Sequence, residues 1–162
     1  MRYAKLGKTG LEVSAITLGC MSFGEPGGRG RPWTLDEAEC RDLVRQALDI
    51  PWSPLARGKL TRPWDETTTR GETDEFGQKL YRDEDRAIIG RVLEVAAKRD
   101  IAPAQVALAW LLRNPAVTSP IVGVTRSSHL SDAIAAVDVA LDADEVAYLE
   151  EPYVPHSVAG HQ

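Results

Sequence analysis

Ile50 to Leu60 reads IPWSPLARGKL, and the fold turns on how this stretch is taken. Pro51 removes a backbone donor and pushes the residue before it to extended geometry. Ile50-Pro51-Trp52-Ser53 therefore reads as a short buried strand rather than a helix. Pro54-Leu55-Ala56-Arg57-Gly58-Lys59-Leu60 reads as a loop with two cations and one conformationally permissive glycine. A strand opening at its C-terminal end into such a loop is where α/β proteins place ligands, and free N–H groups beside Arg and Lys suit a phosphate. Ser-Pro and Arg-Gly also occur in ordinary surface turns, which is the default unless other segments agree.

Other segments do agree. Leu6-Gly7-Lys8-Thr9-Gly10-Leu11-Glu12-Val13-Ser14 is followed by Leu18-Gly19-Cys20-Met21-Ser22-Phe23-Gly24. After the PWSPLARGKL loop, Ala104-Gln105-Val106-Ala107-Leu108-Ala109-Trp110-Leu111-Leu112 leads to Pro120-Ile121-Val122-Gly123-Val124-Thr125-Arg126. Together and in this order, these segments resemble the aldo-keto reductases. The resemblance implies a (β/α)8 barrel, NADP as cofactor, and reduction of an aldehyde or ketone.

The same resemblance implies that much of the barrel is missing. The first helix runs to Ala47-Leu48-Asp49 and is followed at once by Ile50-Pro51-Trp52-Ser53, the equivalent of the seventh strand. Strands two to six, which carry the family's catalytic Asp, Tyr, Lys and His, have no counterpart. A barrel of this kind takes ~250 residues, and the chain has 162. The expected fold is α/β, a partial TIM barrel with strands equivalent to one, seven and eight, an N-terminal β-hairpin and outer helices. It is a single incomplete domain over residues 1–162, with 1–50 holding the hairpin, first strand and helix, and 51–162 the cofactor-binding part.

Taken in order, Arg2 to Leu6 and Leu11 to Ser14 are β-type runs joined by a Gly-containing turn, hence a hairpin. Ala15 to Gly19 is an apolar strand, equivalent to the first of the barrel. Cys20 and Met21 after it suit core packing and a cofactor-facing position alike. Glu25 to Trp33 is a Gly- and Pro-rich loop, and Trp33 reads as rim packing in preference to a substrate stack. Thr34 or Asp36 can cap the next helix. Thr61 to Arg82 is too long for a simple connector. By resemblance it is a belt over the dinucleotide, with Arg70 reaching a phosphate against a default of plain solvation. The family more often has Gly-Lys where this chain has Arg62-Pro63.

Asp83 to Lys98 has Ile88, Ile89, Val92, Leu93 and Ala96 at helical spacing. Pro103 opens a second helix, apolar nearly all round and hence buried, that stops at Asn114-Pro115. Thr118 to Gly123 is the last strand, and Ser127 or Ser128 caps the helix after it. A phosphate at this strand–Gly–helix turn would meet free N–H groups, the positive end of a helix dipole and Arg126. Asp142 with Glu145 forms a capping box for a final helix to Glu151, and a polar tail follows.

Carried over residue by residue, the resemblance implies dinucleotide contacts from Trp52, Ser53, Pro54, Leu55, Arg57 and Arg70. It further implies contacts from Gly123, from Thr125 and Arg126 at the 2′-phosphate of NADP, and from His129 and Asp132 at adenine, where the family usually has amides. Reduction also needs a proton donor beside the carbonyl, its pKa lowered by a cation. Tyr3, Tyr81, Tyr148 and Tyr153 all lie outside the required context, so no catalytic residue is assigned. The chain is expected to be inactive as a reductase, the alternative being a noncatalytic dinucleotide-binding fragment or a defective gene product.

A net charge of −5 argues against a nucleic-acid partner, which would need a basic face. Cys20 and Cys40 make neither a metal spacing nor a disulfide framework. Met1-Arg2-Tyr3-Ala4-Lys5 opens no apolar leader, and no run approaches the ~20 residues of a membrane helix. The expected location is the cytoplasm, with no metal and no membrane. The expected partners are a nicotinamide dinucleotide, a small carbonyl substrate if the enzyme is intact, and further copies of the chain through open sheet edges.

Overall fold

Two short strands about a hundred residues apart in sequence pair with each other. In the computed structural model, which describes residues 3–5, 8, 11–19, 54–66, 68, 72, 81–115 and 117–154, β3 (Thr17–Gly19) lies parallel to β4 (Ile121–Gly123). Thr17 faces Ile121, and Gly19 faces Gly123. The pairing continues past the strand ends. The Thr17 N–H donates to the Pro120 carbonyl at 3.2 Å, and the Thr17 and Ser119 hydroxyls are 2.7 Å apart. The expected strand 118–123 thus shortens to three residues.

Before it, β1 (Tyr3–Lys5) and β2 (Glu12–Ser14) form the expected antiparallel hairpin, with Lys5 opposite Glu12 in the register. The Ser14 hydroxyl, fully buried, donates to the Ile16 carbonyl at 2.9 Å. That bond satisfies the hydroxyl as the chain enters the core.

Among the described residues four α-helices follow: α1 (Asp85–Arg99), α2 (Pro103–Leu112), α3 (Ser127–Ala135) and α4 (Ala143–Glu150). Each begins or ends for a local reason. Pro103 occupies the first turn of α2, where a missing N–H costs nothing. α1 ends at Asp100, whose left-handed backbone (φ 54, ψ 44) turns its N–H back onto the Ala96 and Ala97 carbonyls. In α4 the Glu145 N–H donates to Asp142 at 2.8 Å and the Asp142 N–H to Glu145 at 3.0 Å, which is the expected capping box.

α2 has partners on two sides. Leu108 joins Ile16, Val122, Val124, Leu130, Ala133 and Ala136 in one apolar cluster beneath the parallel pair. Val106 joins Val92, Val95, Ala96 and Leu149 in a second, between α1 and α4. Both residues are wholly buried, and full burial of such a side chain contributes about 1.5–3 kcal/mol. A helix apolar all round is therefore at home here as the middle layer.

The described architecture is α/β with an open, two-stranded parallel sheet. The expected third strand Ile50–Ser53, the Ile50–Pro51 junction, the helix before it, the loop at Trp33, Cys20, Met21, Cys40 and the tail beyond Val154 lie outside the described residues. No described helix is long and apolar enough to cross a membrane.

Candidate functional site

Two segments carry the described part of the dinucleotide contacts expected from sequence. The first is the turn from Gly123 to α3. β4 ends at Gly123, and a Cβ built there would have nothing within 4 Å, so a ligand can approach the bare backbone. Across the pair, Gly19 is crowded: its Cβ would lie 3.0 Å from Ile121 Cγ2. Val124, fully buried, anchors the turn in the core. Arg126 then takes extended geometry (φ −148, ψ 150) at the N-cap of α3.

The serine cap expected here does not form. Ser127 and Ser128 sit inside the first helical turn, one place too late to cap, and no side chain caps α3. Ser131 instead donates back to the Ser128 carbonyl at 2.9 Å. The turn is organised by His129, whose Nδ1 accepts from the Thr125 N–H at 3.4 Å and lies 3.4 Å from the Thr125 hydroxyl. One of the donors expected to be free for phosphate is thus engaged by a side chain.

His129 titrates below its ordinary value. Loss of hydration is the main cause, Arg126 adds to it, Asp132 opposes it, and Arg62 contributes in the same direction as Arg126. Asp132 is itself held by α2, accepting from the Gln105 amide at 2.9 Å. Arg62 and Arg126 make no ion pair with any described residue.

The second segment is 54–62. Instead of an irregular loop it forms a turn at Pro54-Leu55 and a 3-10 segment, Ala56–Thr61, kinked at Arg57 (φ 56) and Gly58 (φ 89). Leu55 packs on the apolar cluster containing Leu108 and Val124, and the segment after it lies against α1 and α2. Its polar groups are partly turned inward. The Gly58 N–H donates to the Leu55 carbonyl at 2.8 Å, and Lys59 lies 4.5 Å over the Trp64 ring while reaching the Trp64 carbonyl. Of the two cations in this loop, Lys59 is therefore engaged by Trp64.

Of the dinucleotide contacts expected from sequence, Pro54, Leu55 and Arg57 lie in the 54–62 segment, and Gly123, Thr125, Arg126, His129 and Asp132 in the turn and α3. Trp52, Ser53 and Arg70 lie outside the described residues. Arg62, which with Pro63 replaces the family's more usual Gly-Lys, lies against the left-handed Gly58.

Among the tyrosines, Tyr148 of α4 donates its hydroxyl to Glu94, which raises its pKa, with burial adding to the effect. Arg91 and Lys98 lie over its ring. A donor to a carbonyl needs the opposite shift. Two clefts lie elsewhere. One of about 500 Å³ runs under the hairpin between Lys5, Ala15, Leu112 and Leu141, at the N-terminal ends of β3 and β4. A smaller one of about 260 Å³ lies beside Trp110, Arg113 and Glu150. Ligands of open α/β sheets gather at the opposite, C-terminal ends.

Comparison with known proteins gives a consistent picture. The profile described as the aldo/keto reductase family matches residues 31–153. The chain is 42% identical over 130 residues to versiconal hemiacetal acetate reductase of Aspergillus parasiticus, covering 74% of this chain and 38% of that protein. It is 38% identical over 132 residues to an aldo-keto reductase of Fusarium vanettenii, covering 76% and 35%. An aldo-keto reductase of Metarhizium robertsii is 42% identical over 117 residues, covering 69% and 31%. The chain thus spans about a third of the length of these curated relatives.

Proposed function

The chain belongs to the aldo/keto reductase family, and on that premise we propose that it binds NADP(H) but, in its 162 residues, does not reduce carbonyls. Oxidoreductase ancestry supports a nicotinamide cofactor and small aldehyde or ketone substrates. The observation that carries the binding reading is the Gly123–Arg126 turn. It offers an open glycine, a helix start with no side-chain cap, and an arginine with no described counter-charge.

In this reading Thr125 and Arg126 hold the 2′-phosphate, and His129 and Asp132 border the adenine. Pro54, Leu55 and Arg57, with Trp52 and Ser53 before them and Arg70 in the belt, follow the pyrophosphate and nicotinamide. A helix N-terminus together with a guanidinium is the expected chemistry for a dianion. Bound NADPH supplies a hydride, and the protein's part is to orient it and deliver a proton to the carbonyl oxygen. The family's Asp, Tyr, Lys and His for that proton have no counterpart in this chain, which is why turnover is not expected.

The proposal treats the chain as one incomplete domain whose first 50 residues complete a sheet for the cofactor-binding remainder. An arc of strands one, eight and seven would expose sheet edges, so self-association is expected. Light scattering showing a monodisperse monomer would count against that part. Cytoplasmic residence is supported by two cysteines with no disulfide pattern.

The test follows NADPH fluorescence and absorbance with the 162-residue chain and a panel of aldehydes and ketones. Saturable binding without oxidation of NADPH is the expected result. Turnover would overturn the noncatalytic half of the proposal, and no binding would overturn the other half.

A further inference from the structure

The larger cleft, at the N-terminal ends of β3 and β4, is apolar within and cationic at its rim. Buried Ala15, Ala109 and Ala136 line it together with Leu112 and Leu141. Three alanines from distant parts of the chain meet where larger side chains would fill the space. The opening amounts to about 500 Å³, which is the size of a pocket for a small organic ligand.

The chain carries a net charge of −5, yet the charged residues among those described around this cleft are Lys5 and Arg113, with no acid beside them. Both are exposed, so they stand at the rim. Lys5 is opposite Glu12 in the hairpin register but makes no ion pair with a described residue. Arg113 has Glu150 at 3.8 Å, too far for a hydrogen bond, and the same Glu150 oxygen already accepts from the Trp110 Nε1–H at 2.9 Å. The side chains of that pair are 56% and 49% exposed, so the attachment is weak and the guanidinium keeps its donors for another anion.

We propose that this cleft is a binding site for a medium-chain carboxylic acid, its hydrocarbon lying along Ala15, Ala109 and Leu141 and its carboxylate pairing with Arg113 and Lys5. A guanidinium fork can hold both carboxylate oxygens at once. An apolar interior with a cationic rim distinguishes such an acid from a neutral chain, which lacks the pairing, and from an amine, which the rim repels. The cleft lies at the ends of the strands opposite to Gly123, so the proposal does not depend on the dinucleotide reading.

The test is calorimetric titration of the 162-residue chain with hexanoate, octanoate, decanoate and 1-octanol, in the wild type, Arg113→Gln and Ala140→Trp. Burial of the chain predicts that affinity rises about fourfold per added methylene. Arg113→Gln is expected to bind octanoate roughly tenfold more weakly, with 1-octanol unchanged. Ala140 is an exposed residue of the cleft wall, and a tryptophan there is expected to weaken acid and alcohol alike. In the wild type, octanoate is expected to shift the amides of Ala15, Ala109, Leu112 and Arg113, a readout that needs no variant to fold, and to leave NADPH affinity unaltered. Equal affinity for octanoate and 1-octanol, or an Arg113→Gln variant that keeps the preference for the acid, overturns the carboxylate assignment. Shifts that bypass these four residues overturn the location. Octanoate that is excluded where the chain self-associates and admitted on dilution gives the cleft to a second copy and overturns the proposal.

Discussion

The backbone N–H of Thr125 donates to Nδ1 of His129 across 3.4 Å, so an imidazole closes the turn where the family resemblance implies an amide. Only a neutral ring can accept at that nitrogen. Lost hydration and Arg126, with Arg62 helping and Asp132 opposing, keep the ring neutral below its ordinary 6.5. The folded chain therefore takes up this proton less readily than the unfolded chain. The contribution to stability is fully present above the unfolded value of 6.5 and is lost as pH falls through the lower folded value. His129→Asn keeps an acceptor but does not titrate. Urea midpoints measured on both sides of 6.5 should decline less toward acid in this variant than in the wild type, and identical slopes would contradict the assignment.

Arg99 and Glu145 form a two-pronged ion pair that ties the end of α1 to the start of α4, their side chains 30% and 21% exposed. The hydrogen bond from Arg99 is the main reason Glu145 titrates below 4.5. Its contribution is therefore present above 4.5 and is lost as pH falls through the lower folded value. At this exposure the pair is worth about 0.5–1 kcal/mol. Glu145→Gln is expected to cost that amount at neutral pH by chemical denaturation, with the difference vanishing in acid. A difference that persists in acid would point to the capping bond instead.

Leu108 is wholly buried between the parallel pair and α3. Truncation to alanine is expected to cost about 2–5 kcal/mol, the range for a leucine whose surroundings cannot collapse into the gap. A loss below 1 kcal/mol in the urea midpoint would mean that α2 is not the middle layer.

Asp100 ends α1 with a left-handed backbone and places a negative charge at the helix's negative pole. Glycine removes the steric strain, worth about 1–2 kcal/mol in other L-residues, at an entropic cost of roughly 0.5–1 kcal/mol. Asp100→Gly is expected to raise the thermal midpoint by a few degrees, and a lowered midpoint would contradict the strain argument.

What could be read in the sequence follows the range over which each signal acts. The Asp142–Glu145 box and Pro103 are decided by neighbours three or fewer residues away, and both appear where expected. The burial of α2 was legible from its composition, but its partners were not, because Val106 and Leu108 face different layers set by tertiary packing. Ser127 and Ser128 misled because a cap depends on where the helix begins, and the buried Val124 sets that point one residue earlier, at Arg126. The seat of Arg62 against Gly58 was not legible because it depends on a left-handed glycine, a backbone state that residue identity permits but does not require.

The most direct test of the central claim, that the Gly123–Arg126 turn holds the 2′-phosphate, is a titration of the isotope-labelled chain with adenosine 2′,5′-bisphosphate followed by amide spectra. The account predicts that the largest shifts fall on Gly123, Thr125, Arg126 and His129, as the phosphate draws the Thr125 N–H away from the imidazole. Shifts centred on Trp110 and Arg113, or saturating binding that leaves Thr125 and Arg126 unmoved, would contradict it.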